Sequence, residues 1–135
     1  MAQASLAVIT VTYSPGRYLR TFLDSIPAAT NQPVHVVMAD NGSTDEAPEA
    51  AVRDYAGTSG LTVSLLGMGS NLGYGSAINR AFTYLEDNCP DVRTDYILIS
   101  NPDVEFSPGS IDALLAAAER WEKAGSLGPV SYTHL

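Results

Sequence analysis

The stretch Asp95-Tyr-Ile-Leu-Ile-Ser-Asn-Pro-Asp103 decides the predicted fold. Tyr96–Ile99 is a short apolar run bounded by polar residues, which predicts a fully buried strand of a parallel sheet rather than a helix. Pro102 cannot donate a ladder hydrogen bond, so the strand is expected to end before it. Because open α/β sheets bind ligands outside the carboxyl ends of their strands, we expect Asp103 to lie where a metal-bound anionic ligand would sit, with Asn101 beside it. An ordinary strand exit with a solvated Asp103 is the alternative.

Further strands and helices are predicted on both sides of this stretch. Apolar, β-branched runs predict three earlier strands, at Leu6–Tyr13, Val34–Ala39 and Leu61–Leu66. Apolar residues at helical spacing predict a helix after each of the four strands, from Arg17, near Asp45–Tyr55, after Gly75 and from Ser107. Strand and helix alternate four times, so the sequence predicts an α/β fold with a parallel sheet and helices on its faces.

Three details of the helix boundaries follow from local chemistry. Ser43 or Thr44 is expected to cap the second helix, because a side-chain hydroxyl satisfies its first N–H groups. Pro108 is expected at the first position of the fourth helix, where its missing N–H costs nothing. Trp121 continues the contact face of that helix and is expected in the core.

Composition bounds the function. The chain has 135 residues, the size of one domain, and a formal net charge of −8 with Lys123 as its only lysine. No basic stripe is present, which argues against nucleic-acid binding. Cys89 is the single cysteine, so an internal disulfide is excluded. Neither a signal peptide nor a long apolar segment is recognisable, and a cytoplasmic location is expected.

Polar clusters follow three of the predicted strands, and in a parallel sheet they should converge at one edge. They are Thr12-Tyr13, Asp40-Asn41-Gly42-Ser43 and Asn101-Pro102-Asp103. An aromatic ring can pack on a base or ribose, and a carboxylate can accept hydrogen bonds from them. The third carboxylate can hold Mg²⁺ or Mn²⁺, which prefer oxygen ligands. The alternatives are that Tyr13 is an aromatic residue covering the helix below it, that the Asp40 segment is a turn with a helix cap, and that Asp103 is solvated in a loop.

A glycine-rich loop, Gly69–Gly75, precedes the third helix and permits close approach of an anion to the helix N-terminus. It is neither a Walker A loop nor a dinucleotide fingerprint, because the required residues and position are missing. Asn79 lies about one turn inside that helix and is expected to point toward the same edge. The alternative is that the glycines serve only to turn the chain and that the loop binds no anion.

Taken together, these motifs resemble the GT-A glycosyltransferases of family 2, and within that family the actinobacterial N-acetylglucosaminyl-diphospho-decaprenol L-rhamnosyltransferases. The resemblance covers residues 6–129. It rests on five segments: Val11-Thr-Tyr-Ser-Pro-Gly16, Ala39-Asp-Asn-Gly-Ser-Thr-Asp45, Asn71-Leu-Gly-Tyr-Gly75 with Asn79, Asn101-Pro-Asp-Val104, and Pro108-Gly-Ser-Ile-Asp-Ala-Leu-Leu115.

The resemblance implies a role for each candidate residue. Tyr13 and Asp40 would contact the thymine nucleoside of the donor, with Asn41 nearby. Asp103 would be the metal ligand of the family's Asp-x-Asp element, written here as Asn-Pro-Asp, and Asn101 would contact the ribose directly or through water. The side of the site that faces the diphosphate or the sugar would be lined by Asn71, Gly73 and Asn79.

The implied reaction is inverting transfer of L-rhamnose from dTDP-L-rhamnose to a GlcNAc-diphospho-polyprenol in cell-wall linker synthesis, with Mg²⁺ or Mn²⁺ as cofactor. Family members are longer, so residues 1–129 are expected to be the donor-binding half. The general base, the acceptor site and any peripheral membrane contact are then expected in the missing part. No catalytic base is recognisable here. Residues 130–135 resemble a translated sequencing adapter and are expected to be a non-native tail.

Other functions remain open at this stage. One is a family 2 transferase that uses a UDP-sugar or a different acceptor. Another is a non-enzymatic metal- or nucleotide-binding module, in which Asp40, Gly42 and Thr44 imitate an adhesion-type metal site, although such sites follow the first strand and carry serine in the middle. A phosphoacceptor receiver domain fits poorly, because Lys123 lies on the last helix.

Overall fold

Four strands and four helices alternate along the chain in the computed structural model, which describes residues 5–128. The strands are β1 (Ser5–Thr12), β2 (Val34–Asp40), β3 (Leu61–Gly67) and β4 (Val92–Ile99). The helices are α1 (Tyr18–Ala29), α2 (Ala47–Asp54), α3 (Tyr74–Asn88) and α4 (Ser110–Arg120). The predicted alternation is confirmed, and the tail proposed at 130–135 lies outside the described residues.

The strands form one parallel sheet in the order β3-β2-β1-β4. Leu6 of β1 pairs with Val34 of β2, and the register continues unbroken to Thr12 opposite Asp40. All four strands point the same way, so their carboxyl ends meet at one edge, as predicted. The two central strands carry the first two polar clusters.

Apolar side chains alternate between the two sheet faces, and each face has its own core cluster. One cluster joins β1 and β2 to α1, α2 and α4, with Phe22 and Ile26 of α1 fully buried. The other packs Ile9 and Val37 beneath α3, whose Ala81 is also fully buried. Helices therefore cover both faces of the sheet, as expected.

The prediction that β4 is a fully buried strand is wrong. Its side chains are half-buried or exposed, and Ile99 is 47% exposed, because β4 pairs with β1 on one side and is the edge of the sheet in residues 5–128. The strand also begins at Val92, earlier than the predicted Tyr96. The polar run Arg93-Thr94-Asp95 hides this early start from the apolar pattern. A register shift between Leu6 and Ala7 marks a bulge in the pairing of β1 with this part of β4.

Two predicted helix starts are also wrong. The N-cap of α2 is Glu46, which makes no side-chain cap bond. Ser43 and Thr44 do not cap the helix, because the Ser43 hydroxyl bonds Asp40 and the Thr44 hydroxyl contacts Ser14 Oγ. Helix α4 begins at Ser110, two residues after Pro108, because Gly109 adopts a left-handed conformation with φ 75°.

Trp121, predicted in the core, is 66% exposed. It is the C-cap residue of α4, and the chain leaves the helical path there, so its ring does not continue the contact face. The contact face of α4 is carried by Ile111, which is almost fully buried.

The end of α1 is fixed by a carboxylate from α4. Asp112 accepts hydrogen bonds from Thr30 Oγ1 at 2.5 Å and from the Asn31 backbone N–H at 3.0 Å. These bonds satisfy groups that follow the last turn of α1, and they lock the two helices together. None of the helices in residues 5–128 is both long and apolar enough to cross a membrane.

His35 gives the fold a pH dependence. It is half-buried on β2, its Nε2 lies 2.8 Å from Ser64 Oγ, and burial lowers the pKa of His35 below its usual value. A histidine in the unfolded chain has a pKa of about 6.5, so just below that pH the unfolded chain binds more protons than the folded chain. The contribution of His35 to stability is therefore complete above about pH 6.5 and is lost as the pH falls toward its pKa in the folded chain.

We expect the urea midpoint to fall between about pH 7 and about pH 5.5, and to fall less in His35→Gln. Glutamine keeps a polar group near Ser64 but does not titrate. Carboxylate titration is common to both chains, so the difference between their pH profiles isolates His35. If the urea midpoint fell equally with pH in both chains, the titration of His35 would not contribute to the pH dependence of stability.

Candidate functional site

The ends of three neighbouring strands are held together by backbone hydrogen bonds. The N–H of Asn41 donates to the carbonyl of Thr12 at 2.9 Å, and the N–H of Ser100 donates to the carbonyl of Ile9 at 3.1 Å. Both bonds continue the sheet into the polar clusters. The segments that carry Tyr13, Asp40 and Asn101 thus leave adjacent strands at one edge, as the sequence predicts.

The Asp40 carboxylate lies at the centre of this edge and is 9% exposed. Its Oδ1 accepts hydrogen bonds from Thr12 Oγ1 at 2.6 Å and from Ser43 Oγ, and its Oδ2 accepts from the Ser43 N–H at 3.0 Å. The predicted turn is therefore present. A carboxylate oxygen has two lone pairs, so Oδ2 keeps capacity for one further donor.

The loops after β1 and β2 are joined by hydrogen bonds that sequence reasoning missed, among them a contact of 3.1 Å between Ser14 Oγ and Thr44 Oγ1. The Ser14 N–H donates to Ser43 Oγ at 2.8 Å, the Thr44 N–H donates to Ser14 Oγ at 2.9 Å, and the Gly16 N–H donates to Asp45 Oδ2 at 2.9 Å. We call these five residues the loop clamp. Their polar, turn-forming types were visible in the sequence, but nothing there paired residues about thirty positions apart.

Tyr13 lies between β1 and the loop clamp, and its side chain is directed to solvent. It is 62% exposed, whereas Thr12 before it is fully buried. A large aromatic ring presented at the end of a central strand can stack on a planar ligand. Tyr13 therefore lies at the end of β1 with its ring exposed, and its contact with a nucleoside stays a prediction.

The glycine-rich loop is attached to the same edge through Asn41, which is almost fully buried. Asn41 Nδ2 donates to the carbonyl of Gly73, and Asn41 Oδ1 accepts from the Leu72 N–H, both at 3.3 Å. Asn71 Oδ1 in turn accepts from the Gly73 N–H at 2.9 Å. The structure thus brings Asn41, Asn71 and Gly73 together at the start of α3. Gly73 has φ 85°, which favours glycine there.

Asn79 is exposed on α3 and lines a groove formed with the end of β3, Leu66–Met68. Its side chain makes no hydrogen bond within residues 5–128. The structure therefore places it beside the outer strand, with no hydrogen bond to Asp40 or Asn41.

Asp103 and Asn101 are exposed in the loop that follows β4. Within the described chain, neither side chain has a hydrogen-bond or ion-pair partner, and no cluster of three or more metal-ligating side chains occurs. Mg²⁺ and Mn²⁺ are commonly held by one or two carboxylates together with substrate phosphates. The single free carboxylate of Asp103 fits an ion of that kind, shared with a diphosphate, and does not fit an ion held by protein alone.

Few cationic side chains are available near this edge to meet a phosphate. Arg20 is bound to Asp54 with an N–O distance of 2.6 Å, and Arg17 lies over the ring of Tyr18 at 5.3 Å. Arg80 is exposed beside Asn79 in the groove between α3 and the end of β3, so an anionic ligand here would depend on backbone N–H groups, a bound metal ion and few arginines.

Comparison with known proteins agrees with this geometry. Residues 7–133 match the model of the family described as glycosyl transferase family 2. Two strains of Mycobacterium tuberculosis have a protein named N-acetylglucosaminyl-diphospho-decaprenol L-rhamnosyltransferase that is 50% identical to this chain over 129 residues. The match covers 93% of this chain and 40% of the relative, so the chain spans less than half the length of these proteins.

Solved structures share the fold at lower identity. The S. aureus TarS 1-349 complex with UDP-GlcNAc has a TM-score of 0.68 at 20% identity, covering 87% of this chain and 32% of that one. The mannosyltransferase PcManGT from Pyrobaculum calidifontis, in complex with GDP-Man and Mn²⁺, has a TM-score of 0.70 at 22% identity, covering 95% and 35%. The family resemblance and the GT-A fold predicted from the motifs are confirmed.

Proposed function

Because the chain belongs to glycosyl transferase family 2, we propose that it is the donor-binding half of a rhamnosyltransferase. The enzyme would transfer L-rhamnose from dTDP-L-rhamnose to a GlcNAc-diphospho-polyprenol. The observation that carries this proposal is the 50% identity to the two relatives named as L-rhamnosyltransferases. The donor-binding half corresponds to residues 1–129.

The donor nucleoside would lie at the ends of β1 and β2. The exposed ring of Tyr13 would stack on thymine or ribose, and the remaining lone pair of Asp40 Oδ2 would accept a hydrogen bond from a nucleoside donor group. Asn41 fixes the glycine-rich loop beside them, so the diphosphate and sugar would extend along Asn71 and Gly73. Asn101 would contact the deoxyribose, and Asn79 would contact the outer part of the sugar side.

Asp103 would hold the divalent ion through its carboxylate, with the donor diphosphate supplying further oxygen ligands. When bound, Mg²⁺ or Mn²⁺ would neutralise charge on the departing diphosphate. The exposed, unpartnered state of Asp103 supports this role, as does the Mn²⁺ in the mannosyltransferase complex.

The acceptor hydroxyl would lose its proton to a carboxylate base, as in general-base catalysis. We propose no base within residues 5–128, and we place the base and the acceptor site outside them. A lipid-linked acceptor implies work at the face of a membrane. With a net charge of −8, the present chain offers little attraction to anionic lipids, so contact with the membrane would also lie outside it.

The choice of nucleobase tests the proposal against a family 2 enzyme that uses a UDP-sugar. We expect calorimetric titration in Mg²⁺ to give about tenfold tighter binding of dTDP than of UDP, which lacks the thymine methyl group and carries a 2′-hydroxyl that dTDP does not have. Tighter binding of UDP would favour the alternative donor. A folded chain that binds neither nucleotide would remove the assignment of the strand ends as a donor site.

A further inference from the structure

We infer that Ser14 and Ser43 are positioning residues that hold Tyr13 ready for the donor nucleoside. The inference rests on the proposed function and adds two residues to it. Neither serine needs to touch the donor. They act through the backbone on both sides of the Tyr13 ring.

The backbone around Tyr13 is fixed on both sides. On one side, Thr12 is fully buried and its Oγ1 donates to Asp40 at 2.6 Å. On the other side, the Ser14 N–H donates to Ser43 Oγ at 2.8 Å. The Tyr13 ring itself has no such support, and its 62% exposure means that it contributes little to the core. The backbone of Tyr13 is therefore fixed although its side chain adds little to the stability of the fold.

The Ser43 hydroxyl connects the two sides. It donates its single hydrogen to Asp40 Oδ1, so the oxygen can only accept in its other bond, which is the bond from the Ser14 N–H. The carboxylate therefore sets the donor-to-acceptor direction of the two hydrogen bonds that run from Ser14 through Ser43 to Asp40. Asp40, the proposed nucleoside contact, and Tyr13, the proposed stacking ring, are joined through one hydroxyl.

Ser14 is held in a conformation that serine seldom adopts. Its φ is 48°, the one positive φ of a non-glycine residue in residues 5–128. Such a backbone persists where the surroundings impose it, and here Ser14 Oγ accepts from the Thr44 N–H at 2.9 Å while the Gly16 N–H donates to Asp45 Oδ2 at 2.9 Å. Preordering the turn removes part of the entropy cost that binding would otherwise carry.

The test combines hydrogen exchange of the free chain with titration by dTDP in Mg²⁺. In Ser43→Ala we expect faster exchange at the Ser14 amide and about tenfold weaker dTDP binding. Ser43→Thr retains the hydroxyl and should restore both. Ser64→Ala is the control for a serine hydroxyl lost elsewhere, because Ser64 bonds His35, away from the loop clamp.

A double-mutant cycle separates positioning from general destabilisation. Tyr13→Ala should weaken dTDP binding, and adding Ser43→Ala to it should cause little further loss, because the ring to be positioned is gone. Ser14→Gly removes the hydroxyl but suits a positive φ, so it gives a second test if Ser43→Ala folds poorly. It should speed exchange at the Thr44 amide and weaken dTDP binding by a few fold.

The inference is overturned if Ser43→Ala or Ser14→Gly speeds exchange but binds dTDP as the parent does, or if the losses from Tyr13→Ala and Ser43→Ala simply add. A parent chain that is folded but binds neither dTDP nor UDP overturns the proposed function and, with it, this role. In that case slow exchange at Ser14 would still show that the loop clamp forms, so the two failures are distinguishable.

Discussion

Asp103→Ala is expected to abolish the dependence of nucleotide binding on a divalent cation. The affinity for dTDP in Mg²⁺ should fall on the order of 100-fold, about 2.7 kcal/mol, to the value measured for the parent chain without metal. The physical reason is that Asp103 offers an exposed carboxylate without a partner in residues 5–128, which an ion shared with the diphosphate could bind. Titration calorimetry with and without Mg²⁺ measures the effect.

Two carboxylate controls sharpen this result. Asp91→Ala removes an exposed carboxylate just before β4 and should leave binding unchanged. Glu105→Ala removes an exposed carboxylate two positions beyond Asp103. All three variants should unfold within about 0.5 kcal/mol of the parent, because none removes a buried contact. Loss of the metal dependence in Glu105→Ala rather than in Asp103→Ala would show that the metal ligand is wrongly assigned.

Asp40→Ala is expected to weaken both the fold and the site. It leaves the fully buried Thr12 hydroxyl and the Ser43 N–H without their acceptor, so the free energy of unfolding should fall by about 2–4 kcal/mol. Binding of dTDP should fall at least about tenfold, because the nucleoside acceptor is lost and Ser43 is no longer oriented. Urea denaturation and dTDP titration measure the two effects separately.

Asp112→Ala is the matched control for Asp40→Ala. Asp112 is likewise a carboxylate that accepts several hydrogen bonds, two against the three of Asp40, but its donors Thr30 and Asn31 lie at the end of α1. It should lose stability by about 1–3 kcal/mol while keeping its affinity for dTDP. Asp40→Asn keeps one carbonyl oxygen and should be intermediate in stability. If Asp112→Ala lost affinity as much as Asp40→Ala, the loss would reflect destabilisation and not contact with the ligand.

The parts of the site that were predictable are those dictated by topology. Alternating strands and helices require a parallel sheet, and a parallel sheet brings its carboxyl ends to one edge. Tyr13, Asp40 and Asn101 could therefore be grouped from the sequence, since each lies at the end of a recognisable strand or within two residues of it.

The parts that were not predictable depend on partners distant in sequence. An apolar run such as Tyr96–Ile99 looks the same in a central strand and in an edge strand, and only the neighbouring strands decide how far it is buried. In the same way, a serine before a helix can cap it or bond elsewhere. Ser43 bonds Asp40 and Ser14, so the expected cap of α2 is absent and the loop clamp forms instead.

The most direct test is the map of amide NMR shifts when dTDP and Mg²⁺ are added to the isotopically labelled chain. We expect the largest changes at Thr12–Ser14, at Asp40–Ser43 and at Asn101 and Asp103, with little change along α4. That result would place the nucleotide at the carboxyl ends of β1, β2 and β4. Saturable binding with shifts confined to the groove between β3 and α3, or to α4, would contradict a donor site at these strand ends.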